Sequence, residues 1–264
     1  MDIIQAVWLA IIQGLSEFLP VSSSAHLILP SEILGWPDQG LAFDVAVHVG
    51  SLAAVLIYFR DDILALLSAW FDSIFVRRHT AESRMAWCLA IGTIPAGLAG
   101  LLLSDLIELY LRSMEVIAFT TIFFGLLLAW ADVFARGTKG LTEFTWKSAL
   151  VVGVAQALAL IPGTSRSGVT MTAALGLGFD RQTAARFSFL LAIPIIALSG
   201  AYKGLQLLHE DSVALFEISV GAVLSGITAY ICIHSFLRFV ERVGMMPFVI
   251  YRMFLGGFLI YLSW

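Results

Sequence analysis

Six long, nearly uncharged apolar segments constrain the fold of this chain more than any other feature of its sequence. The hydrocarbon core of a bilayer is about 30 Å thick, so one helical crossing takes roughly 20 consecutive apolar residues. The six segments run over residues 41–59, 86–103, 115–131, 187–202, 217–237 and 247–264. The sequence therefore predicts an all-α polytopic membrane protein with six transmembrane helices.

The composition agrees with a lipid solvent. Of the 264 residues, 59% are hydrophobic and 13% are charged, and the mean hydropathy is +0.92. A typical soluble domain has about 25% charged residues, so a soluble enzyme, a disordered chain and a basic nucleic-acid binder are excluded. Cys88 and Cys232 stand apart in apolar runs, which excludes a disulfide scaffold and a cysteine metal site.

Two further apolar segments do not fit the pattern of a crossing. Residues 3–19 contain polar side chains and break at Pro20, and residues 149–161 are only 13 positions long and break at Pro162. Segments this short that end in proline enter the membrane and turn back more readily than they cross it. We therefore predict two re-entrant helical hairpins in addition to the six spans.

The distribution of Lys and Arg tests the second hairpin. If both short segments turn back, the loops on one face hold 11 of the 15 basic residues and the other face holds two, Arg112 and Lys203. If the second segment crossed instead, the split would be 8 against 6. The positive-inside rule favours the hairpin, with the 11-charge face in the cytoplasm and both termini on the other side. The 11 are Arg60, Arg77, Arg78, Arg84, Arg136, Lys139, Lys147, Arg181, Arg186, Arg238 and Arg242.

The two hairpins also suggest an internal repeat. Aligning Pro20 with Pro162 sets two hydroxyl-rich stretches side by side, with Gln13 and Gln156 one residue out of register. Each hairpin is followed by three spans, and because three is odd, the second copy starts on the opposite face. The sequence therefore predicts one domain of two inverted repeats, residues 1–140 and 141–264, with a site near the midplane where the broken helices meet.

Ionisable groups within apolar segments are costly, so each one is a candidate for function. Gln13 and Glu17 are four apart and share one helix face. Arg166 follows a Pro-Gly break and is flanked by hydroxyls, a combination that suits a phosphate or carboxylate; the alternative is an Arg that extends to the interface. The polar set is Glu17, His26, Asp44, His48, Arg166, Ser22, Ser23, Ser24, Thr164, Ser165 and Ser167.

Several of these residues also have a purely structural interpretation. Ser22 and Ser23 are either small residues that allow close helix packing or a nucleophile and ligand anchor. Asp44 and His48, again four apart, either orient the site from behind or satisfy each other. Four residues near the ends of spans are expected at the membrane interface, where Trp and Tyr act as anchors. They are Arg252, Glu217, Trp264 and Tyr110.

Two motifs carry a family resemblance. Residues 13–26, QGLSEFLPVSSSAH, and residues 162–168, PGTSRSG, closely resemble the signature motifs of the bacterial undecaprenyl-diphosphate phosphatase family, also called the bacitracin-resistance family. The likeness covers the whole chain, including FDVAVHVG at residues 43–50. It implies an inner-membrane enzyme that hydrolyses a phosphoric anhydride, releasing phosphate from undecaprenyl diphosphate to recycle the lipid carrier of peptidoglycan. Its site would open to the periplasm.

The resemblance also implies roles for individual residues. Glu17, Ser23 and Arg166 match the residues on which the family's activity chiefly depends. His26 matches a further catalytic residue, and the expected substrate-binding set is Gln13, Ser22, Ser24, Thr164, Ser165 and Ser167. The family requires a divalent cation, Mg²⁺ or Ca²⁺, for which Glu17 is the expected ligand, because Gln13 stands where some members have a second carboxylate. The expected partners are a polyprenyl diphosphate and the bilayer, and a homodimer stays open.

The residues alone leave the mechanism and one rival function open. Ser23 could attack phosphorus, with its proton taken by His26 or Glu17, or a water activated by Glu17 and the cation could attack directly. A secondary transporter or lipid flippase would share inverted repeats and broken helices but would release no phosphate. An intramembrane serine hydrolase is disfavoured because the chain has no GxSxG motif.

Overall fold

The computed structural model describes residues 2–37, 39–134, 137–207 and 215–263. These residues form helices joined by loops and contain no β-strand. Two residues used in the sequence predictions, Arg136 and Trp264, lie outside the described part. The α-helices are α1 Ile3–Ser16, α2 Ser23–Leu34, α3 Gly40–Tyr58, α4 Arg60–Phe75, α5 Ala81–Tyr110, α6 Met114–Phe134, α7 Trp146–Leu158, α8 Arg166–Gly176, α9 Arg181–Leu207, α10 Leu215–Val243 and α11 Met246–Leu262.

Five of the described helices are long and apolar enough to cross a membrane, and each coincides with a predicted span. They are α3, α5, α6, α9 and α10. The sixth predicted span corresponds to α11, which has 17 residues and is about 25 Å long at 1.5 Å per residue, slightly less than the hydrocarbon core. The prediction of an all-α polytopic membrane protein is confirmed.

The two short apolar segments each form a helix that breaks where the sequence predicts. α1 ends before a loop of residues 17–22, the first loop, and α2 follows it. α7 ends before a loop of residues 159–165, the second loop, and α8 follows it. The last residues of the two loops, Ser22 and Ser165, have nearly the same backbone conformation, with φ of 75° and 69°. Each is the N-cap of the helix that follows.

These two serines give the register of the similarity between the halves. Ser22 and Ser165 stand 143 positions apart, and so do Gln13 and Gln156. The alignment of Pro20 with Pro162 is therefore wrong by one residue. Measured from the serines, Pro20 lies opposite Gly163, whose φ of 87° the proline ring cannot adopt, so the two prolines do not mark equivalent positions.

The helices pack in matching pairs around the two breaks. α1 packs on α10 and α7 packs on α5, while α3 contacts α9 and α6 contacts α11. Close approach depends on glycine: a Cβ at Gly50 would overlap the backbone of Ala222, and one at Gly153 would overlap the backbone of Gly92. This packing brings the two loops next to each other in the interior, between α6, α9 and α11.

The helix α4 lies in a stretch of sequence from which no element is predicted. It carries Asp61 and Asp62 in its first turn and exposes apolar side chains further along, including Leu64 and Phe75. Arg186 Nη2 on α9 lies 2.9 Å from Asp62 Oδ2, so a partly exposed ion pair joins α9 to the start of α4.

Candidate active site

The ends of three short helices place the site. Glu17 is the C-cap of α1, Ser23 is the first residue of α2, and Arg166 is the first residue of α8. Each side chain leaves the backbone at a break, because a helix that continued through Pro20 or Pro162 would lose a hydrogen bond and clash with the preceding turn. The two motifs, far apart in sequence, therefore present their polar side chains to one small volume.

Glu17 is the centre of the site. Arg166 Nη2 donates to Glu17 Oε1 at 2.9 Å across 149 positions of sequence. The hydroxyl of Ser23 donates to Oε2 at 3.0 Å, and Gln13 Nε2 donates to the same oxygen at 2.9 Å. Only 9% of Glu17 is exposed. A buried carboxylate is tolerated when its oxygens are hydrogen-bonded and paired with a cation, and these three donors meet that requirement.

His26 faces a different group from the one that the sequence suggests. Its Nδ1 lies 2.7 Å from the carbonyl oxygen of Ser22, which can only accept, so Nδ1 carries the proton. The other nitrogen, Nε2, lies 2.6 Å from the hydroxyl of Tyr251 and accepts from it. The two rings also stack, with centroids 5.5 Å apart and planes 4° from parallel. Both nitrogens of the neutral ring are thus occupied, and the hydroxyl of Ser23 donates to Glu17.

Two of the remaining hydroxyls, those of Ser24 and Ser167, join the two motifs, whereas Thr164 Oγ1 is buried without a hydrogen-bond partner among the described residues. Ser24 Oγ accepts the Gly163 N–H of the second loop at 3.2 Å and lies 3.1 Å from Ser22 Oγ. Ser167 Oγ donates to the carbonyl of Leu19 in the first loop at 2.8 Å. Ser165 Oγ caps α8 by accepting the Gly168 N–H at 3.2 Å. The predicted substrate-binding serines therefore already hold the walls of the site in place.

Asp44 and His48 lie on α3 behind Glu17 but do not pair through their side chains. His48 Nε2 lies 3.8 Å from Glu17 Oε2, while its Nδ1 donates to the backbone carbonyl of Asp44 at 2.7 Å. The Asp44 carboxylate accepts from Gln39 at 3.1 Å. His48 thus faces the central carboxylate, and in the described part of the chain Asp44 is linked to it through its carbonyl oxygen, which accepts from His48.

The prediction that Arg252 lies at the interface is wrong. This residue is 0% exposed, and its guanidinium lies among carbonyl oxygens of α6 and both loops. Its position near the end of a predicted span suggests contact with water, but the packing of α11 against α6 and both loops encloses it. The sequence also gives no prediction for its neighbour Tyr251. The available signal was the polar pair Tyr251–Arg252 inside an apolar segment, because a charge at such depth is a candidate for function wherever it occurs.

A hard divalent cation would find oxygen ligands beside Glu17. The described residues contain no cluster of three or more His, Cys, Asp or Glu side chains that could hold a metal ion. The Oε1 of Gln13, however, is buried without a hydrogen-bond partner among these residues, on the same side chain that donates to Glu17. A carboxylate and an amide oxygen suit Mg²⁺ or Ca²⁺, with the remaining positions filled by water and phosphate oxygens.

Comparisons with known proteins agree with the geometry. The family model described as bacitracin resistance protein BacA matches residues 6–258. An undecaprenyl-diphosphatase of Saccharophagus degradans is 61% identical over 264 residues, which cover 100% of this chain and 99% of the relative. Undecaprenyl-diphosphatase 1 of Pseudoalteromonas translucida is 58% identical over 265 residues and covers both chains completely. The undecaprenyl-diphosphatase of Thioalkalivibrio sulfidiphilus is 55% identical, again over both whole chains.

Proposed function

We propose that this chain, which belongs to the bacitracin resistance protein family, hydrolyses undecaprenyl diphosphate to undecaprenyl phosphate and inorganic phosphate at the site around Glu17. The observation that carries the proposal is the hydrogen bond from Arg166 to Glu17, because Ser23 also donates to Glu17. A carboxylate, a hydroxyl and a guanidinium suited to phosphate thus meet in one buried site. The relatives that share this sequence over its full length are undecaprenyl-diphosphatases, and this favours a phosphatase over the transporter alternative.

Arg166 is the group that recognises the substrate. A guanidinium matches two phosphate oxygens with parallel N–H donors, and the start of α8 adds the positive end of a helix dipole. When the diphosphate enters, its charge competes with Glu17 for the guanidinium. Arg166 then stabilises the negative charge that spreads over the transferred phosphoryl group, which is the main requirement of this reaction.

Ser23 is the nucleophile that the hydrogen bonds favour. Its hydroxyl already points its proton at Glu17 Oε2, so Glu17 takes that proton as the Oγ–P bond forms and the anhydride P–O bond breaks. Undecaprenyl phosphate leaves with the bridging oxygen. A water molecule then cleaves the phosphoserine, with Glu17 returning the proton to Ser23 Oγ and inorganic phosphate as the product. His26 is less suited to the first proton transfer, because both of its ring nitrogens have other partners.

A divalent cation is part of the proposal. Glu17 and the free Oε1 of Gln13 would hold it, together with oxygens of the diphosphate. When bound, it supplies positive charge that neutralises the phosphate oxygens. Gln13 would then orient both the cation and the carboxylate, since its amide nitrogen already donates to Glu17.

The membrane arrangement in this proposal is six spans and two re-entrant hairpins in inverted repeats. Three observations support it: the 11-to-2 division of basic residues, the matching conformation of Ser22 and Ser165, and the matched packing of α1 on α10 and α7 on α5. The charge division includes Arg136, which lies outside the described residues. In this arrangement the protein lies in the bacterial inner membrane, with its site and both termini toward the periplasm.

A phosphate-release assay tests the function. Purified protein in detergent and in liposomes is incubated with a polyprenyl diphosphate, with and without Mg²⁺ or Ca²⁺, and inorganic phosphate is measured. We expect cation-dependent release from the wild type and from a control, Ser219→Ala, on the exposed side of α10. Absence of release from the wild type under every condition would exclude the phosphatase and return the transporter to consideration.

The serine route has its own test. Substrate labelled in the terminal phosphate is mixed with enzyme and quenched in acid, and the label is sought on Ser23 by mass spectrometry. We expect a phosphoserine at Ser23 in the wild type and loss of both label and turnover in Ser23→Ala. Turnover by Ser23→Ala at more than a tenth of the wild-type rate would show that water attacks directly.

A further inference from the structure

Arg252 on α11 is the most deeply buried charged side chain in the described structure, and the reaction scheme assigns it no role. Its side chain is completely buried, and it forms no ion pair with any residue that the structure describes. All five of its hydrogen bonds there end on backbone carbonyl oxygens. A buried guanidinium is costly, so five carbonyl partners in one place indicate that the surrounding backbone is arranged around it.

The five carbonyls belong to three segments of the chain. Nη1 donates to Pro20 of the first loop at 3.4 Å and to Thr164 of the second loop at 3.1 Å. Nη2 donates to Gly163 of the second loop at 3.0 Å. The bonds to α6, from Nε to Thr121 at 2.9 Å and from Nη2 to Thr120 at 3.3 Å, fix the guanidinium plane. One side chain therefore joins both loops to the scaffold helices.

The side chains of α6 hold the second loop in the same way. Thr120 Oγ1 donates to the carbonyl of Pro162 at 2.6 Å, and Thr121 Oγ1 donates to that of Gly163 at 3.3 Å. Three consecutive carbonyls, from Pro162 to Thr164, are thus bound by Thr120, Thr121 and Arg252. We call these three side chains the carbonyl clamp.

The clamp determines where the N–H groups of the loop point. In a trans peptide the C=O and N–H bonds point in opposite directions, so a carbonyl held on one side turns the next N–H to the other. The bond from the Gly163 N–H to Ser24 Oγ shows this: the carbonyl before it faces Thr120, and the N–H faces the first motif. By the same geometry the Ser165 N–H, which follows the bound carbonyl of Thr164, turns away from Arg252.

We propose that Arg252 is a positioning residue for phosphoryl transfer, because it clamps the two loops by their carbonyls and so holds Glu17, Ser23 and Arg166 in reactive alignment. This inference rests on the proposed function. The clamp contacts none of these three side chains directly. It acts through the two loops, which contain Glu17 and directly precede Ser23 and Arg166. Its loss therefore slows the chemical step, which depends on alignment within fractions of an ångström, more than it weakens substrate binding.

Arg252→Lys is the informative substitution. Lysine keeps the positive charge but has three donors on one atom in place of five on a planar fork, and cannot reach all three segments at once. We expect kcat for phosphate release to fall about 10- to 100-fold while KM stays within threefold of the wild type. The matched control is Val249→Ala on the same helix, which truncates a buried core side chain and leaves the clamp intact. It should lower the unfolding temperature without lowering kcat more than twofold.

The outcomes separate the two proposals. If the wild type is active and the kcat of Arg252→Lys lies within threefold of it, the positioning role alone is overturned. The same conclusion follows if Val249→Ala loses as much kcat as Arg252→Lys. A wild type that releases no phosphate overturns the proposed function itself.

If Arg252→Lys does not fold, the double variant Thr120→Val, Thr121→Val tests the clamp, because it removes two of its donors with little change in side-chain volume. We expect a three- to tenfold lower kcat at unchanged KM, and an unchanged kcat would refute the clamp.

Discussion

The first and second loops end in the same backbone conformation but carry opposite charges. Each ends in a serine with positive φ that caps the next helix, and each follows a short apolar helix that carries a glutamine. The first loop begins with the carboxylate of Glu17, and the helix after the second loop begins with the guanidinium of Arg166. Two loops that end alike thus supply the carboxylate and the guanidinium of one site.

The loops also differ in how they are held. Thr120, Thr121 and Arg252 bind three consecutive carbonyls of the second loop, whereas the first loop receives one bond from Arg252 and one from Ser167. The second loop is therefore fixed to α6 and α11, and the first loop is fixed by fewer bonds, to α8 and α11. We therefore expect substitutions in the first motif to affect the chemical step. Substitutions in the second motif should affect the alignment of the reacting groups and the binding of substrate.

The largest effect is expected from Glu17→Gln. The amide cannot take the proton of Ser23, and it leaves Arg166 without its carboxylate, so kcat should fall by about 10³-fold or more. Phosphate release and the circular dichroism spectrum of the variant are measured together. Asp61→Asn, an exposed carboxylate at the start of α4, is the control and should retain full activity. A Glu17→Gln enzyme within tenfold of wild type would remove Glu17 from the role of base.

Arg166→Lys should have the next largest effect, and on different constants. Lysine keeps the charge but loses the paired N–H donors for phosphate, so we expect kcat/KM to fall about 10²-fold with KM raised. The control Arg60→Lys makes the same change at an exposed site. A KM equal to that of the wild type would contradict the assignment of substrate binding to Arg166.

Tyr251→Phe tests the partner of His26 and should cost less. The phenylalanine ring preserves the stacking but removes the hydroxyl donor to Nε2, so we expect kcat to fall about threefold to tenfold. Nitrogen-15 NMR of the His26 ring should show protonation at Nδ1 in both proteins, because the Ser22 carbonyl remains, and a shifted Nε2 resonance in the variant, because that nitrogen loses its donor. Tyr261→Phe, exposed on the same helix, should change neither quantity. An unchanged His26 spectrum in Tyr251→Phe would refute the hydrogen bond.

The smallest effects compare the two serines at positive φ. Glycine relieves strain of order 1 kcal/mol at either position, but Ser165 also caps α8 through its hydroxyl, whereas Ser22 forms no such bond to its helix. Ser22→Gly should therefore raise the unfolding temperature more than Ser165→Gly, by a few degrees at most. The reverse order in thermal unfolding would show that the hydroxyl of Ser22 stabilises the fold more than the cap formed by Ser165.

Much of the architecture follows from local sequence. Long apolar runs gave the helices α3, α5, α6, α9 and α10, because bilayer thickness imposes a length on each crossing. The breaks at the first and second loops followed from proline and hydroxyl residues. The missed helix, α4, has an amphipathic pattern that length alone does not detect, and the one-residue error in the repeat arose because proline marks a turn without defining its register.

By itself the sequence determined the class of protein, the motifs and the candidate site residues, since these depend on residue types and near neighbours along the chain. The tertiary structure decided the pairing of Glu17 with Arg166, the partner of His26 and the burial of Arg252. Each of these joins residues that are more than 100 positions apart or depends on which face of a helix is enclosed. Such contacts arise only when the helices pack, because no local rule relates a side chain on α11 to carbonyls of both loops.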